Sequence, residues 1–262
     1  MSGSGNDFVF FDEADGPTDR LRDEAAIQNL CARGTGVGAD GIVILDRSNG
    51  SNPKIDYYNS DGSVGELCGN ATLCTVRLNQ QLGGAPGEMV IRTDSGDVKG
   101  RLVDGLPEID LAPVTKVEPS WDQIEREGSE ARLGFALVGV PHVAIEVSDV
   151  EAADVLGRGS RVRRDRSLEK GANVNFLAPA GSNGAWTIRT YERGVEGETL
   201  ACGTGAVASG ILLVLWNRAK SPVKLRTRSG RELVVTVREE QGIWYPSLRG
   251  PADLVFVGEL PT

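Results

Sequence analysis

Short runs in which hydrophobic and polar residues alternate dominate the chain, and turns rich in glycine and aspartate separate them. Alternation with a period of two is typical of half-buried strands. The pattern predicts strands at 8–11, 41–45, 54–59, 88–93, 97–103, 142–147, 174–178, 186–191, 223–227 and 232–237. Helical spacing of apolar residues predicts fewer helices, at 19–32, 69–82, 121–128, 150–156 and 204–218. The chain is therefore expected to be a mixed α/β protein that is rich in strand.

One segment falls outside this pattern. Residues 157–172, GRGSRVRRDRSLEKGA, are basic and show no clear period. Such a charge run is expected to be a solvated surface loop.

Composition places the chain among globular proteins. Its 262 residues are 40% hydrophobic and 25% charged, which suits one large domain or two smaller ones. The formal net charge is −9 at pH 7. This charge argues against a nucleic acid or an anionic membrane as the main partner.

The sequence suggests a cytoplasmic protein with thiols and without a metal. The N-terminus is polar and then acidic, which is unlike a signal peptide, and no run reaches the length of a transmembrane helix. Four cysteines in such a chain are expected to be thiols and not a disulfide framework. One histidine and no C-x-x-C pair give little support for a metal site.

The stretch GVGADG (36–41) formally matches the dinucleotide motif G-x-G-x-x-G. That motif has to follow a strand and open a helix. Here a predicted helix precedes the stretch and a predicted strand follows it, so a dinucleotide site is not expected.

An internal repeat is more informative. When Cys68 is aligned with Cys202, the following Cys-Gly steps coincide, and the segments VIRTDSG and KLRTRSG lie at the same distance beyond them. Each half also has the order strand, loop, Cys-Gly, helix, strand. The repeat predicts two similar α/β domains that arose by duplication.

Each of these two cysteines lies at the predicted start of a helix. The unpaired N–H groups and the positive end of the helix dipole lower a thiol pKa there and attract a carboxylate. Two such sites that face each other would suit the removal of a proton next to a carboxylate on one face and its return on the other. The residues alone leave two readings open: such an acid/base pair, or two buried structural cysteines.

The chain resembles the diaminopimelate epimerase family from end to end. The matching blocks are GNDF (5–8), GVGADG (36–41), YNSDGS (58–63), CGN (68–70), GVPH (139–142), NVNF (173–176), YERG (191–194) and ACGTGA (201–206). The resemblance implies two pseudo-symmetric domains, each a strand-rich curved sheet or barrel around a central helix, with the active site in the cleft between them. It also implies interconversion of L,L- and meso-diaminopimelate without metal or pyridoxal phosphate, and a homodimer. The expected domains are 1–109 plus 247–262, and 110–246.

The resemblance also assigns roles to residues. Cys68 and Cys202 match the two acid/base thiols, and His142 and Glu192 match residues that set or position their protonation. The residues that match substrate-binding positions are Asn6, Asn59, Gly69, Asn70, Asn173, Glu192, Arg193, Gly203 and Thr204. The forked guanidinium of Arg193 suits a carboxylate at the distal end of the substrate.

Three departures from the family pattern bear on these expectations. The first thiol block usually reads CGNGARC and here reads CGNATLC, so that Ala71 replaces a glycine and Leu73 an arginine. Val140 stands where an asparagine often contacts the distal end of the substrate. A short strand usually precedes the motif that begins at Ser2, so this edge strand is expected to be missing or to lie upstream.

Three alternatives stay open. Val140 and CGNATLC are compatible with a related cofactor-independent racemase for histidine or another basic amino acid. A thiol redox protein could use Cys68 and Cys202, and oxidation is expected to inactivate an enzyme of this kind reversibly. A non-catalytic binding module of the same fold is the third.

Overall fold

A computed structural model describes residues 1–50, 52–65, 68–84, 87–181 and 184–260. The strands are β1 (Ser2–Gly3), β2 (Asn6–Asp12), β3 (Gly41–Asp46), β4 (Lys54–Asn59), β5 (Met89–Thr93), β6 (Gly96–Val103), β7 (Leu106–Asp110), β8 (Val117–Glu118), β9 (Arg132–Val138), β10 (Val140–Glu146), β11 (Asn173–Pro179), β12 (Trp186–Glu192), β13 (Gly197–Thr199), β14 (Val223–Arg226), β15 (Glu232–Glu240), β16 (Ile243–Arg249) and β17 (Ala252–Asp253). The helices are α1 (Glu24–Cys31), α2 (Gly69–Gln81), α3 (Val155–Arg163) and α4 (Gly203–Leu215), and 3₁₀ turns cover Glu13–Asp15 and Asp19–Arg22.

The fold is mixed α+β, with many strands and few helices, as the pattern predicts. The chain divides into two compact units. Unit 1 comprises Met1–Ile109 and Arg249–Thr262, and unit 2 comprises Asp110–Leu248. Residues 261 and 262, at the end of the expected first domain, lie outside the described residues.

The two units share the same internal order of strand pairing. In unit 1, β2 pairs parallel with β3, β3 antiparallel with β4, β4 parallel with β5, and β5 antiparallel with β6. In unit 2, β10 pairs parallel with β11, β11 antiparallel with β12, β12 parallel with β14, and β14 antiparallel with β15. This correspondence agrees with the repeat in the sequence.

Each unit also contains one nearly buried helix. Helices α2 and α4 both have 13 residues, and α4 begins 134 residues after α2. Helix α2 packs against β1, β5, β6 and β17, and α4 packs against β9, β10, β11, β14 and β15. Ten residues of each helix are buried, because strands of the same unit lie on several sides of it.

Some helix predictions are wrong. Residues 121–128 form turns and no helix. Trp121 and Ile124 are buried in the core of unit 2, and Trp121 stacks on Phe135 with 4.7 Å between the ring centroids. Trp121 and Ile124 are three residues apart, a spacing that also occurs on the buried face of a helix, but the backbone between them forms a turn. The predicted helix 19–32 is also two elements, because Asp23 accepts a hydrogen bond from the N–H of Ala26 and begins α1 there.

The segment 150–172 differs most from its prediction. The helix expected at 150–156 begins only at Val155, and it continues to Arg163 through the segment expected to be a loop. Asp154 caps this helix by accepting from the N–H groups of Gly157 and Arg158. Arg158 is buried, so the charge run is not wholly solvated. Tertiary contacts have overridden a sequence that favours helix poorly.

The strands that the pattern missed are β1, β7, β8, β9, β13, β16 and β17. Strand β1, which covers Ser2 and Gly3, pairs antiparallel with both β2 and β17. No helix in the described ranges has the length and apolar character needed to cross a bilayer.

Candidate active site

The two matched cysteines occupy equivalent positions at the start of a helix. Cys68 is the N-cap of α2 and Cys202 the N-cap of α4, both with extended backbone. Neither N-cap side chain forms a capping hydrogen bond. By contrast, Asp23 and Asp154 cap α1 and α3 with their carboxylates. Helices α2 and α4 thus begin at residues that are poor caps, which leaves their first turns available to another acceptor.

The backbone at these helix starts can bind an anion. The N–H of Thr72 donates to Cys68 O, and the N–H of Ala206 donates to Cys202 O, each at 2.9 Å. The N–H groups ahead of these, at 69–71 and 203–205, have no carbonyl partner within their helix. The positive end of the helix dipole adds to their attraction for a carboxylate or a thiolate.

In unit 1, three polar side chains connect the start of α2 to β2. Asn70 Nδ2 donates to Asn6 Oδ1 at 2.7 Å, and Asn6 Nδ2 donates to Asp40 Oδ2 at 2.9 Å. Asp40 also accepts from the N–H of Asp7 at 3.2 Å and pairs with Arg33 at 2.8 Å. Asn70 is buried, and its Oδ1 has no hydrogen-bond partner among the described residues. Asp40 belongs to GVGADG, so this block holds Asn6 in place.

Asn59 lies at the end of β4 and is fixed from two sides. Its Oδ1 accepts from Tyr57 Oη, and its Nδ2 donates to Ser63 Oγ, both at 3.0 Å. A Cβ on Gly65 would lie 2.2 Å from the Tyr57 ring, so only glycine permits this approach. A depression beside Cys68 is lined by Ile55, Tyr57, Gly65, Cys68, Ala71, Thr72, Thr93 and Asp94.

In unit 2, Asn173 orients the backbone of Arg193. Asn173 is buried, and its Oδ1 accepts from the Arg193 N–H at 2.7 Å. Arg193 Nη1 donates to Lys170 O at 3.2 Å, which leaves most of its guanidinium donors for another acceptor. The neighbouring carboxylate of Glu192 accepts from Thr199 Oγ1 at 2.8 Å.

His142 is fully buried on β10, also in unit 2. Its Nδ1 lies 3.3 Å from Asn175 Nδ2, and its Nε2 has no hydrogen-bond partner among the described residues. Burial, and to a lesser extent the positive charge of Arg193, together lower the pKa of His142 to about 3. The imidazole is therefore neutral at physiological pH.

The other two cysteines have a different setting. Cys31 and Cys74 are buried on α1 and α2. Burial raises the pKa of the Cys74 thiol to about 12 and also raises that of Cys31. None of the four cysteines forms a disulfide among the described residues. Cys202 Sγ lies 3.6 Å from Thr204 Oγ1, a contact within the first turn of α4.

The residues that depart from the family pattern lie close to these groups. Ala71, Thr72 and Leu73 are fully buried in the first turns of α2, and Thr72 Oγ1 donates to Cys68 O at 2.9 Å. Leu73 therefore fills core space where an arginine is usual in the family. Val140 is the first residue of β10, two residues before His142.

The sequence reading missed four residues that hold these groups. They are Asp40, Tyr57, Asn175 and Thr190. Asp40 and Asn175 lie within the family blocks GVGADG and NVNF, and Tyr57 directly precedes the block YNSDGS (58–63). Nothing in the sequence marks Thr190. No cluster of three or more potential metal ligands occurs among the described residues.

Solved structures identify the class of fold. A phenazine biosynthesis protein of the PhzF family from Bacillus anthracis superimposes with a TM-score of 0.70, at 13% identity, over 95% of this chain and 91% of that chain. A hydroxyproline epimerase from Agrobacterium vitis, with bound trans-4-hydroxy-L-proline, superimposes with a TM-score of 0.64, at 16% identity, over 95% and 86%. The chain therefore has the fold that these proteins share.

Sequence comparison identifies the family within this class. The profile described as diaminopimelate epimerase matches residues 1–117 and 134–255. Diaminopimelate epimerase from Gemmatimonas aurantiaca is 43% identical over 99% of this chain and 97% of its own. The enzyme named likewise from Aquifex aeolicus is 36% identical over 99% and 96%. The chain belongs to the diaminopimelate epimerase family, and is an isomerase that acts on a small molecule.

Proposed function

We propose that the chain interconverts L,L- and meso-diaminopimelate, with Cys68 and Cys202 as the two bases. One observation supports this assignment above all others. The two cysteines are N-caps of equivalent helices in the two repeated units, and neither caps its helix with its side chain. The family and its curated relatives favour diaminopimelate over the related racemase for another amino acid.

The reaction needs one thiolate and one thiol. The thiolate takes the proton from the α-carbon and becomes a thiol, and the electron pair stays on the carbon. The second thiol then gives its proton to the opposite face and becomes a thiolate. The inverted product leaves the two cysteines with exchanged protonation, and the reverse reaction starts from that state.

Helix N-termini supply two effects in this mechanism. Their partial positive charge stabilises a thiolate at the N-cap relative to the thiol. Their N–H groups bind the carboxylate next to the reacting carbon and stabilise the negative charge that develops there. The residues assigned to this cradle are Gly69, Asn70, Gly203 and Thr204.

The distal end of the substrate carries an ammonium and a carboxylate. Arg193 supplies a forked donor for the carboxylate, and Asn173 holds the Arg193 backbone. Glu192 supplies a negative charge for the ammonium. Asn6 and Asn59 complete this assignment, because their amides are fixed by neighbours and each keeps one N–H donor and one acceptor lone pair.

A substrate panel tests the proposal. The purified chain is incubated with L,L-diaminopimelate, L-histidine, L-lysine and L-arginine, and the isomers are separated on a chiral column. We expect inversion of diaminopimelate alone, lost in Cys68→Ala and Cys202→Ala and kept in the matched control Cys31→Ala. Inversion of another amino acid in preference to diaminopimelate would overturn the substrate assignment.

Two further assignments belong to this proposal. We assign a homodimer, supported by the exposed apolar run Leu254, Val255, Phe256 and Val257. Sedimentation at micromolar concentration tests it, and a mass of 27.8 kDa would contradict it. We also assign a cytoplasmic location, because two catalytic thiols need a reducing compartment. Cell fractionation tests the location.

A further inference from the structure

Asn175, the second asparagine of the NVNF block, lies between two strands of unit 2. It is fully buried on β11. In the strand register Thr190 of β12 stands directly opposite it, and His142 of β10 stands opposite Asn173, two residues earlier on the same face of β11. Asn175 therefore lies between Thr190 and the only histidine of the chain.

The neighbours of Asn175 determine which way its amide points. Asn175 Nδ2 lies 3.3 Å from the carbonyl oxygen of Val143, which can only accept a hydrogen bond. Asn175 Oδ1 accepts from Thr190 Oγ1 at 2.9 Å. The opposite orientation would place two oxygens without a proton against each other at Val143. The amide nitrogen is therefore the atom that faces His142.

This orientation settles the protonation of the imidazole. An amide nitrogen only donates, so His142 Nδ1, 3.3 Å away, has to accept. In a neutral imidazole the single proton is then on Nε2. Nε2–H is buried and has no hydrogen-bond partner among the described residues, a costly state for a donor unless a ligand accepts from it.

The first turn of α4 also lies close to Asn175. A Cβ on Gly205 would lie 2.4 Å from Asn175 Oδ1 and 3.2 Å from Cys202 Sγ. Only glycine permits Asn175 to lie this close to the first turn of α4. Gly205, within the ACGTGA block, thus accommodates a side chain of the protein itself, and it places Asn175 next to the turn that begins at Cys202.

We propose that Asn175 is a positioning residue that keeps His142 in the Nε2–H tautomer, so that His142 offers a neutral donor to an anionic oxygen of the bound substrate. This proposal rests on the proposed function for the identity of the ligand. It does not rest on that function for the tautomer, which is a property of the chain without substrate. In this role His142 stabilises negative charge and does not take up the α-proton.

The single histidine makes the test direct. The chain is labelled with ¹⁵N-histidine, and long-range ¹H–¹⁵N correlation spectra report the proton on each ring nitrogen. We expect Nε2 to be protonated and Nδ1 to be unprotonated in the wild-type chain at pH 7.5. A proton on Nδ1 would overturn the proposal.

Variants then test the part played by Asn175. Asn175→Asp replaces the donor with an acceptor, so the ring proton is expected on Nδ1. Gly205→Ala displaces Asn175 and leaves both partners chemically intact, so a mixture of tautomers is expected even if Asn175→Asp does not fold. Ser209→Ala, a buried change further along α4, is the matched control and leaves the spectrum unchanged. An unchanged tautomer in both Asn175→Asp and Gly205→Ala would overturn the proposal.

Substrate provides the last arm of the test. Titration calorimetry first measures whether L,L-diaminopimelate binds, which tests the proposed function separately. At saturation the Nε2 signal is expected to shift and the Nδ1 signal to stay. We also expect Gly205→Ala to lower kcat by about 10²-fold and KM by much less, since the donor acts on developing charge. Binding without any shift of Nε2 would contradict the donor role.

Discussion

Asn70 Nδ2 donates to Asn6 Oδ1 at 2.7 Å, and so joins the first turn of α2 to the GNDF segment at the start of β2. Asn6 in turn donates to Asp40 of the GVGADG segment. Three blocks that are far apart in the sequence therefore form one hydrogen-bonded group next to Cys68. The proposed carboxylate cradle in unit 1 is held by this group and not by the helix alone.

Loss of the Asp40 carboxylate is expected to impair activity through Asn6. Asp40→Ala removes the acceptor for Asn6 Nδ2 and for the N–H of Asp7. We expect kcat/KM to fall by about 10- to 100-fold, because a displaced positioning group weakens transition-state binding. Steady-state assays measure this. Arg33→Gln is the matched control, because Arg33 is exposed and pairs with Asp40 without contacting Asn6; equal loss in both variants would contradict the account.

Alkylation is expected to separate the four cysteines into two pairs. Cys31 and Cys74 are buried thiols whose pKa is raised, so both present less thiolate than an ordinary cysteine does. Cys68 and Cys202 lie at helix N-termini and are expected to react first with iodoacetamide. Peptide mapping after brief treatment of the native chain measures the order. Faster labelling of Cys74 than of Cys68 would not fit the proposed roles.

Arg158 is expected to contribute strongly to stability. Its guanidinium contacts Glu127 and Glu130 at 2.8 Å and donates to Glu125 O at 2.6 Å, and both Arg158 and Glu130 are almost fully buried. Arg158→Ala leaves the buried Glu130 carboxylate unpaired and should lower the free energy of unfolding by about 3–5 kcal/mol. Denaturant titration measures the change. Arg161→Ala breaks an exposed pair with Glu127 and should cost less than about 1 kcal/mol.

The buried His142 predicts how stability depends on pH. Its pKa is lowered to about 3 in the folded chain and is about 6.5 in an unfolded one. At a pH between these two pKa values His142 is protonated in the unfolded chain and neutral in the folded chain. The stability that the neutral, buried His142 contributes to the free energy of unfolding is therefore fully present above pH 6.5 and is lost as the pH falls toward 3. We expect the ring signals of His142 to be constant from pH 5 to 8, and a midpoint near 6.5 would contradict this.

The sequence was sufficient to predict the elements whose local pattern matches their packing. Strand β4 was predicted with its observed bounds, and α2 to within one residue, because both have a clear period and end at turn residues. The segment around α3 could not be predicted this way. Gly157 and Gly159 disfavour helix, yet Gly159 lets α3 approach Tyr191, to which a Cβ would come within 2.6 Å.

The candidate site likewise has residues that a local sequence pattern indicates and residues whose role depends on packing. Cys68 and Cys202 could be found from sequence because the repeat and the Cys-Gly steps mark them. Asn175 and Thr190 could not be assigned a role, because their importance lies in pairing across β11 and β12. The chemistry of His142 likewise depends on burial and on the direction of one amide. These are properties of packing and are invisible in a linear pattern.

In the proposed mechanism two thiols act on opposite faces of one carbon. The most direct test follows L,L-diaminopimelate in heavy water and records loss of the α-proton signal together with formation of the meso isomer. For the wild-type chain we expect exchange with inversion. For Cys68→Ala and Cys202→Ala we expect no inversion, because one face has lost its base. Inversion at the wild-type rate in either variant would contradict the two-thiol mechanism.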